Sequence, residues 1–421
     1  MLRISRSLWL GGVSLILCLI LTLSLSLPLT AQPAPLIEPF LASGKLADGE
    51  TAMLARLKDK PDDDKARFSL GTVQVFIGIE RLMQSLYRYG LKDDTFTQAF
   101  PILRLPTPPN KNPQVLTYDI ARQVLQTWLD DLNKAQATLE PIKDPAVKLP
   151  LRFGMIKLDI NGDGKIGNDE ALWRIYARVV GSQITEKQAK SFLIAFDTGD
   201  ALWLRGYCNA LAAMVETLLA HNWQDLFEAT GHRFFTKIQT PHDFLSRKQQ
   251  NSGFFFGDFD FFLDVVAMVH LINFPVVEAP RLTSALQHLQ TVLLLSRQSW
   301  ALITAETDND NEWIPNSKQK TIVPGIRVTS DMITSWLAFL DEAELVLTGK
   351  KLMPFWRGNE TRGVNLNRVL TEPRPFDLVL WFQGSAATPY LEKGKVTDRR
   401  FWIRLFDVFQ GQFFGFATWF N

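Results

Sequence analysis

Cysteine is almost missing from this chain of 421 residues, which carries two, Cys18 and Cys208. Cys18 lies within an apolar N-terminal run, so only Cys208 remains beyond it and an intramolecular disulfide is excluded. Cys208 sits on the apolar stripe of a helical stretch, where a buried thiol is inert, so it is a poor nucleophile. Histidine is also sparse: His221, His232, His242, His270 and His288 are scattered without metal-ligand spacing. The chain has no phosphate-binding glycine loop, dinucleotide fingerprint, His-Glu-x-x-His helix or Gly-x-Ser-x-Gly elbow. An excess of either charge is missing too. The formal net charge is +1, and no basic patch or stripe stands out, which argues against a nucleic-acid partner.

What is abundant is apolar and aromatic surface. Hydrophobic residues make up 46% of the chain and charged ones 21%, with 30 Phe and 12 Trp, which implies large buried faces or a binding surface. The N-terminus carries Arg3 and Arg6, an uncharged apolar run from Leu8 to Leu27, Pro28, and a small residue at Ala31. This is the pattern of a secretory signal, so the chain is expected to be exported to the periplasm or secreted. The alternative is an uncleaved N-terminal membrane anchor. Without Arg3 and Arg6, 43 basic residues face 44 acidic ones.

One stretch combines oxygen donors with a spacing that suits a hard divalent cation. In Asp159-Ile160-Asn161-Gly162-Asp163-Gly164-Lys165-Ile166-Gly167-Asn168-Asp169-Glu170, side-chain oxygens stand at positions one, three, five and twelve. A twelve-residue calcium loop takes its ligands from those positions and from the carbonyl at seven, here Lys165. Gly164 supplies the left-handed turn at six, Gly167 leaves position nine to a water, and Ile166 at eight is the apolar residue that usually faces a partner loop. The segment resembles the EF-hand family over roughly thirty residues. The resemblance implies a local helix-loop-helix and a calcium ion held by Asp159, Asn161, Asp163, Lys165 and Glu170. No second full loop lies nearby, so the ion is expected to brace the fold rather than to signal.

The rest of the chain reads as mainly α, a multi-helix bundle or array with an irregular, aromatic-rich C-terminal segment. Its expected divisions are a signal peptide at 1–31, an N-terminal helical region at 32–140, a central helical domain with the calcium loop at 141–349, and a wrapping segment with an aromatic helix at 350–421. Pro61 to Asp64 should cap a long helix that Gly90 ends. A second helix is expected from about Pro113 to Leu139, then Pro145 to Leu158 as the helix entering the calcium loop and Asp169 to Val180 as the one leaving it. Thr185 to Gln188 forms a capping box, and Asp197 to Asp200 reads as the N-cap turn of a central helix, Ala201 to His221. Further helices are expected over Gly257 to Phe274, Arg281 to Thr304 and Thr329 to Thr348. Beyond them come a short strand at Leu378 to Phe382 and a last helix from Thr397 to about Phe416.

Three polar groupings stand apart from the loop. Arg205, Asn209 and Glu216 form a seam along the central helix, and Asp260 and Asp264 form an acidic face, so Arg205 is expected to neutralise one of those carboxylates. Glu306, Asp308, Asp310 and Glu312 surround an acidic turn next to Trp313. It has only half of a calcium loop, and its acids are the candidates for an alternative reading as a calcium-stabilised hydrolase of glycans or envelope polymers. Arg399, Arg400 and Arg404 flank the apolar side of the last helix, which suits docking on the core or peripheral contact with a membrane. The main expectation is an exported, calcium-binding helical protein acting as a binding or scaffold protein of the cell envelope, with an envelope protein or glycan as partner.

Overall fold

The computed structural model describes residues 35–93, 107–175, 185–246, 260–309, 311–319, 327–358 and 361–420. The expected signal segment lies outside them. Among the described residues, no helix is long and apolar enough to cross a membrane. The fold is mainly α, as expected, and it is assembled from capped amphipathic helices.

After α1 (Glu38–Ser43) and α2 (Leu46–Asp59), Asp63 starts α3 (Asp64–Arg88) by accepting the Ala66 N–H at 2.9 Å. Gly90, at φ 69°, ends that run in the left-handed conformation a side chain would strain. Thr117 caps α4 (Tyr118–Leu139), which therefore begins later than the Pro113 expected. Thr185 and Gln188 form their capping box on α5 (Glu186–Ser191). Asp197 caps α6 (Thr198–Leu219), α7 (Gln224–Thr230) and α8 (Asp260–Leu271) follow, and α9 (Pro280–Ala305) and α10 (Ser330–Leu347) complete the long helices.

These helices pack in a series. α2 lies on α3, α3 on α4, α4 on α6, α6 on α9 and α9 on α10, so α6 is central as its apolar circumference requires. One hydrophobic core runs through the series from Ile37 to Phe416, with Trp300 and Trp313 among its largest fully buried side chains. Close packing shows at Gly71 of α3, where an added Cβ would meet Leu139 of α4 at 2.4 Å.

The helix expected to enter the calcium loop is not formed. Pro145, Pro150 and Gly154 interrupt that stretch, and proline removes a helical donor and clashes with the preceding turn. In its place stand a strand, β1 (Leu149–Leu151), and a 3-10 turn at Phe153–Met155. β1 pairs antiparallel with β2 (Ile194–Phe196), Leu149 opposite Phe196 and Leu151 opposite Ile194. The helix leaving the loop is described only as far as residue 175.

The C-terminal part also differs in detail. β3 (Asn273–Phe274) pairs with β6 (Phe376–Asp377), and β4 (Met353–Pro354), β5 (Gly363–Val364) and β7 (Leu391–Glu392) form a small sheet. With α11 (Leu366–Thr371) they enclose a satellite core of Val364, Ala387 and Tyr390. The strand expected at Leu378–Phe382 is a helix, α12 (Leu378–Gln383), because the Asp377 carboxylate accepts the Leu380 N–H at 2.8 Å and Gly384, at φ 105°, ends the turn. The last helix divides into α13 (Arg399–Val408) and α14 (Phe413–Phe420) at Gln410 and Gly411, whose φ values are 51° and 76°. Leu405, Phe409, Phe413 and Phe416 are buried against α9 and α10, with the Trp300 and Phe416 rings 5.9 Å apart. That face docks on the core.

Candidate calcium loop and buried carboxylate cluster

The loop's backbone is shaped by its own side chains. The two oxygens of Asp159 accept the N–H groups of Gly162 at 2.8 Å and Gly164 at 3.0 Å, with both glycines at φ 72°. The Asn161 side-chain oxygen accepts the Asp163 N–H at 2.8 Å, and the Asp163 carboxylate accepts the Lys165 N–H at 2.7 Å. Glu170, at the end of a 3-10 turn over Asn168–Glu170, closes the ring. Its Oε1 accepts Ile160 N–H and its Oε2 accepts Gly167 N–H, each at 3.0 Å. Main-chain bonds from Leu158 N to Glu170 O and from Leu172 N to Ile156 O join the two ends.

The donor set fits a hard cation: three carboxylates, one amide oxygen and the Lys165 carbonyl, with no nitrogen or sulfur ligand. Each carboxylate oxygen keeps a lone pair beyond the one that accepts a loop amide. The loop's carboxylate oxygens are spread around the turn rather than gathered at one point, however. Among the described residues the one trio of metal-type side chains with oxygens within 4.8 Å of one another lies elsewhere.

Helix α3 supports the loop from below. Glu80 accepts the Asp159 N–H at 2.7 Å, and the Gln84 amide donates to the Asp159 carbonyl at 2.7 Å. Burial, and then the nearby carboxylates of Asp159 and Glu170, push the Glu80 carboxyl up to about 7 against the lowering effect of that hydrogen bond. Burial raises Glu170 as well. Ile166 packs on Gly44, the left-handed C-cap of α1.

The trio is Asp197, Glu306 and Glu312. Asp197 caps α6 by accepting Gly199 N–H at 2.7 Å and Asp200 N–H at 3.2 Å, and Asp200 accepts the Asp197 N–H in return at 3.0 Å. Glu306 follows α9 and accepts from the Gln319 amide at 3.1 Å. Burial, then the charge of Asp197, raises Glu306 to about 8 and pushes Asp200 well above the usual carboxylate range. Glu306 therefore holds a proton at neutral pH, which lessens its repulsion with Asp197. Glu312 and Trp313 are each 2% exposed. Trp313 packs among Phe153, Phe196 and Trp203 at centroid distances of 5.9, 5.7 and 5.3 Å, beside an aromatic-lined cavity of about 60 Å³ that Asp200 also borders.

Of the acids grouped by the sequence around Trp313, Glu306 and Glu312 converge. Asp308 instead pairs with Lys148, and Asp310 lies outside the described residues. Asp197 and Asp200 are legible in the sequence only as a cap, since more than a hundred positions separate them from their partners. The expected Arg205 pairing is corrected too. Arg205 meets Glu140 at 3.1 Å, while Asp264 takes Arg233 and His232, and the side chain of Asp260 lies outside the described residues. Glu216 pairs with Arg281 at 2.9 Å and Asn209 with His288 at 2.7 Å. Burial raises the Cys208 thiol to about 12, so it stays protonated. No family model matches the chain, and no curated protein and no solved structure matches it.

Proposed function

We propose that this chain is an exported, calcium-binding helical protein in which calcium braces the fold, and that it acts as a binding or scaffold protein of the cell envelope. The observation that carries the reading is the closure of the loop on Glu170, whose two oxygens tie positions two and nine together around the Asp159 turn. The loop joins the β1 region to α3 through Glu80 and Gln84, so an ion there stabilises a junction between elements distant in sequence. The hydrolase reading needs paired carboxylates with room for a sugar between them. The burial of Glu312 and Trp313 keeps that acid out of an open cleft, which supports the scaffold reading.

The test is calorimetric titration of the mature chain with calcium, with thermal melting in calcium and in chelator, for the native chain and Glu170→Ala. The expected result is one site and a raised melting temperature, both lost in the variant. Absence of heat and of any melting shift at about millimolar calcium overturns the proposal, because exported sites bind in that range or tighter.

A further inference from the structure

A cleft of about 410 Å³ opens along the seam between α3 and α4. That is more than a few ordered waters fill, and it lies within the range of small-molecule sites. Trp128, buried, and Tyr89, half-buried, supply its aromatic surface. Among the described residues the charged groups that border it are Arg81, Arg88 and Asp131. Arg81 Nη1 donates to Asp131 Oδ1 at 2.6 Å, so that carboxylate is already matched. The Arg88 side chain is exposed, and among the described residues its guanidinium has no carboxylate partner. The cleft therefore carries one uncompensated positive charge, on a planar fork whose geometry matches a carboxylate.

The hydroxyls that border the cleft have a fixed polarity. Ser85 Oγ donates to the Arg81 carbonyl at 2.9 Å and Thr127 Oγ1 to the Gln123 carbonyl at 2.9 Å, each within its own helix. The Gln123 amide reaches Thr127 Oγ1 only at 3.5 Å. With their protons committed, both oxygens keep lone pairs for a donor from outside the helix. The ligand that answers these groups has a carboxylate for Arg88, hydroxyl donors for Ser85 and Thr127, and C–H faces for Trp128 and Tyr89. A uronic acid has all three. A neutral sugar leaves Arg88 unmatched, and a small anion without a sugar ring lacks the C–H faces. We propose that the α3–α4 cleft binds acidic saccharides, with a uronate carboxylate on Arg88. This rests on the binding role proposed above for its setting and gives that role a ligand class, at a site whose chemistry needs no metal.

The experiment is calorimetric titration of the full chain, with no calcium added, using trigalacturonate, a neutral galactose trisaccharide and citrate. Trigalacturonate is expected to bind at one site, more weakly as salt is raised, and each of the other two to bind about tenfold less tightly or worse. Arg88→Gln should weaken trigalacturonate binding by about tenfold or more, the loss of a charge-assisted pair, and Arg88→Lys should restore part of it. Ser85→Ala should weaken it by a smaller factor, that of one neutral hydrogen bond. Arg88 is exposed, so its variants should keep the native circular dichroism and melting curve. Absence of heat at about 10 mM trigalacturonate overturns the proposal. So does equal binding of the neutral trisaccharide or of citrate, or undiminished binding by Arg88→Gln. The calcium titration is a separate measurement, so either reading can fail while the other holds.

Discussion

The Ile166 side chain fills the space beside Gly44, so that a Cβ added to Gly44 would stand 2.7 Å from two Ile166 carbons. The eighth residue of the loop thus seats on the C-cap of α1.

Gly44→Ala should therefore do two things. It places a side chain at φ 73° and forces Ile166 away, and should cost about 2 kcal/mol in denaturant unfolding. Calcium affinity should fall with it. Unchanged calcium binding in a destabilised variant would show that the Ile166 contact and the loop are independent.

Gly164→Ala separates conformation from packing. Gly164 is at φ 72° and nothing lies within 4 Å of an added Cβ, so only backbone strain opposes the change, on the order of 1 kcal/mol. Gly71→Ala is the contrast, since it intrudes on Leu139 far from the loop and should cost about 1–3 kcal/mol with no effect on calcium. Calorimetry of both variants beside their melts checks the pair.

Glu306 gives a pH dependence of definite sign. Its folded-state carboxyl is raised to about 8, so between its unfolded value and 8 the folded chain holds a proton that the unfolded chain releases. That contribution to stability is present in acid and is lost as pH rises through about 8. Asp200 acts in the same direction. The melting temperature should therefore fall from about pH 6 to pH 9, and Glu306→Gln, which mimics the protonated acid, should flatten the slope. An equal slope in the variant would show that other groups govern it.

Arg281 joins three elements, meeting Glu216 at 2.9 Å, Glu278 at 2.6 Å and the Gln126 side chain at 2.9 Å. Glu216 is buried, so Arg281→Ala strands a carboxylate between α6 and α9 and should cost about 3 kcal/mol. Adding Glu216→Gln should recover part of the loss. A double-mutant cycle on urea unfolding measures the coupling.

Local signals are legible in the sequence wherever a side chain acts on its own neighbourhood. The caps at Asp63, Thr185 and Asp197, the stop at Gly90 and the buried stripe of α6 all follow from residues within a turn of where they act. The departures arise where one residue outweighs the composition around it. Leu378–Gln383 has the composition of a strand, and Asp377 as its cap overrides that preference. Pro150 likewise ends any helix between Pro145 and Leu158, whatever the apolar spacing there suggests. Convergence of Asp197 with Glu306 and Glu312 has no local signal at all, because it depends on how α6 packs against α9.

The return of α13 and α14 to the main core sets an order in time. Trp300 and Trp336 find part of their packing only in Phe413 and Phe416, roughly eighty to a hundred and twenty positions later in the chain. During synthesis that face of α9 and α10 stays uncovered until the distant segment has emerged.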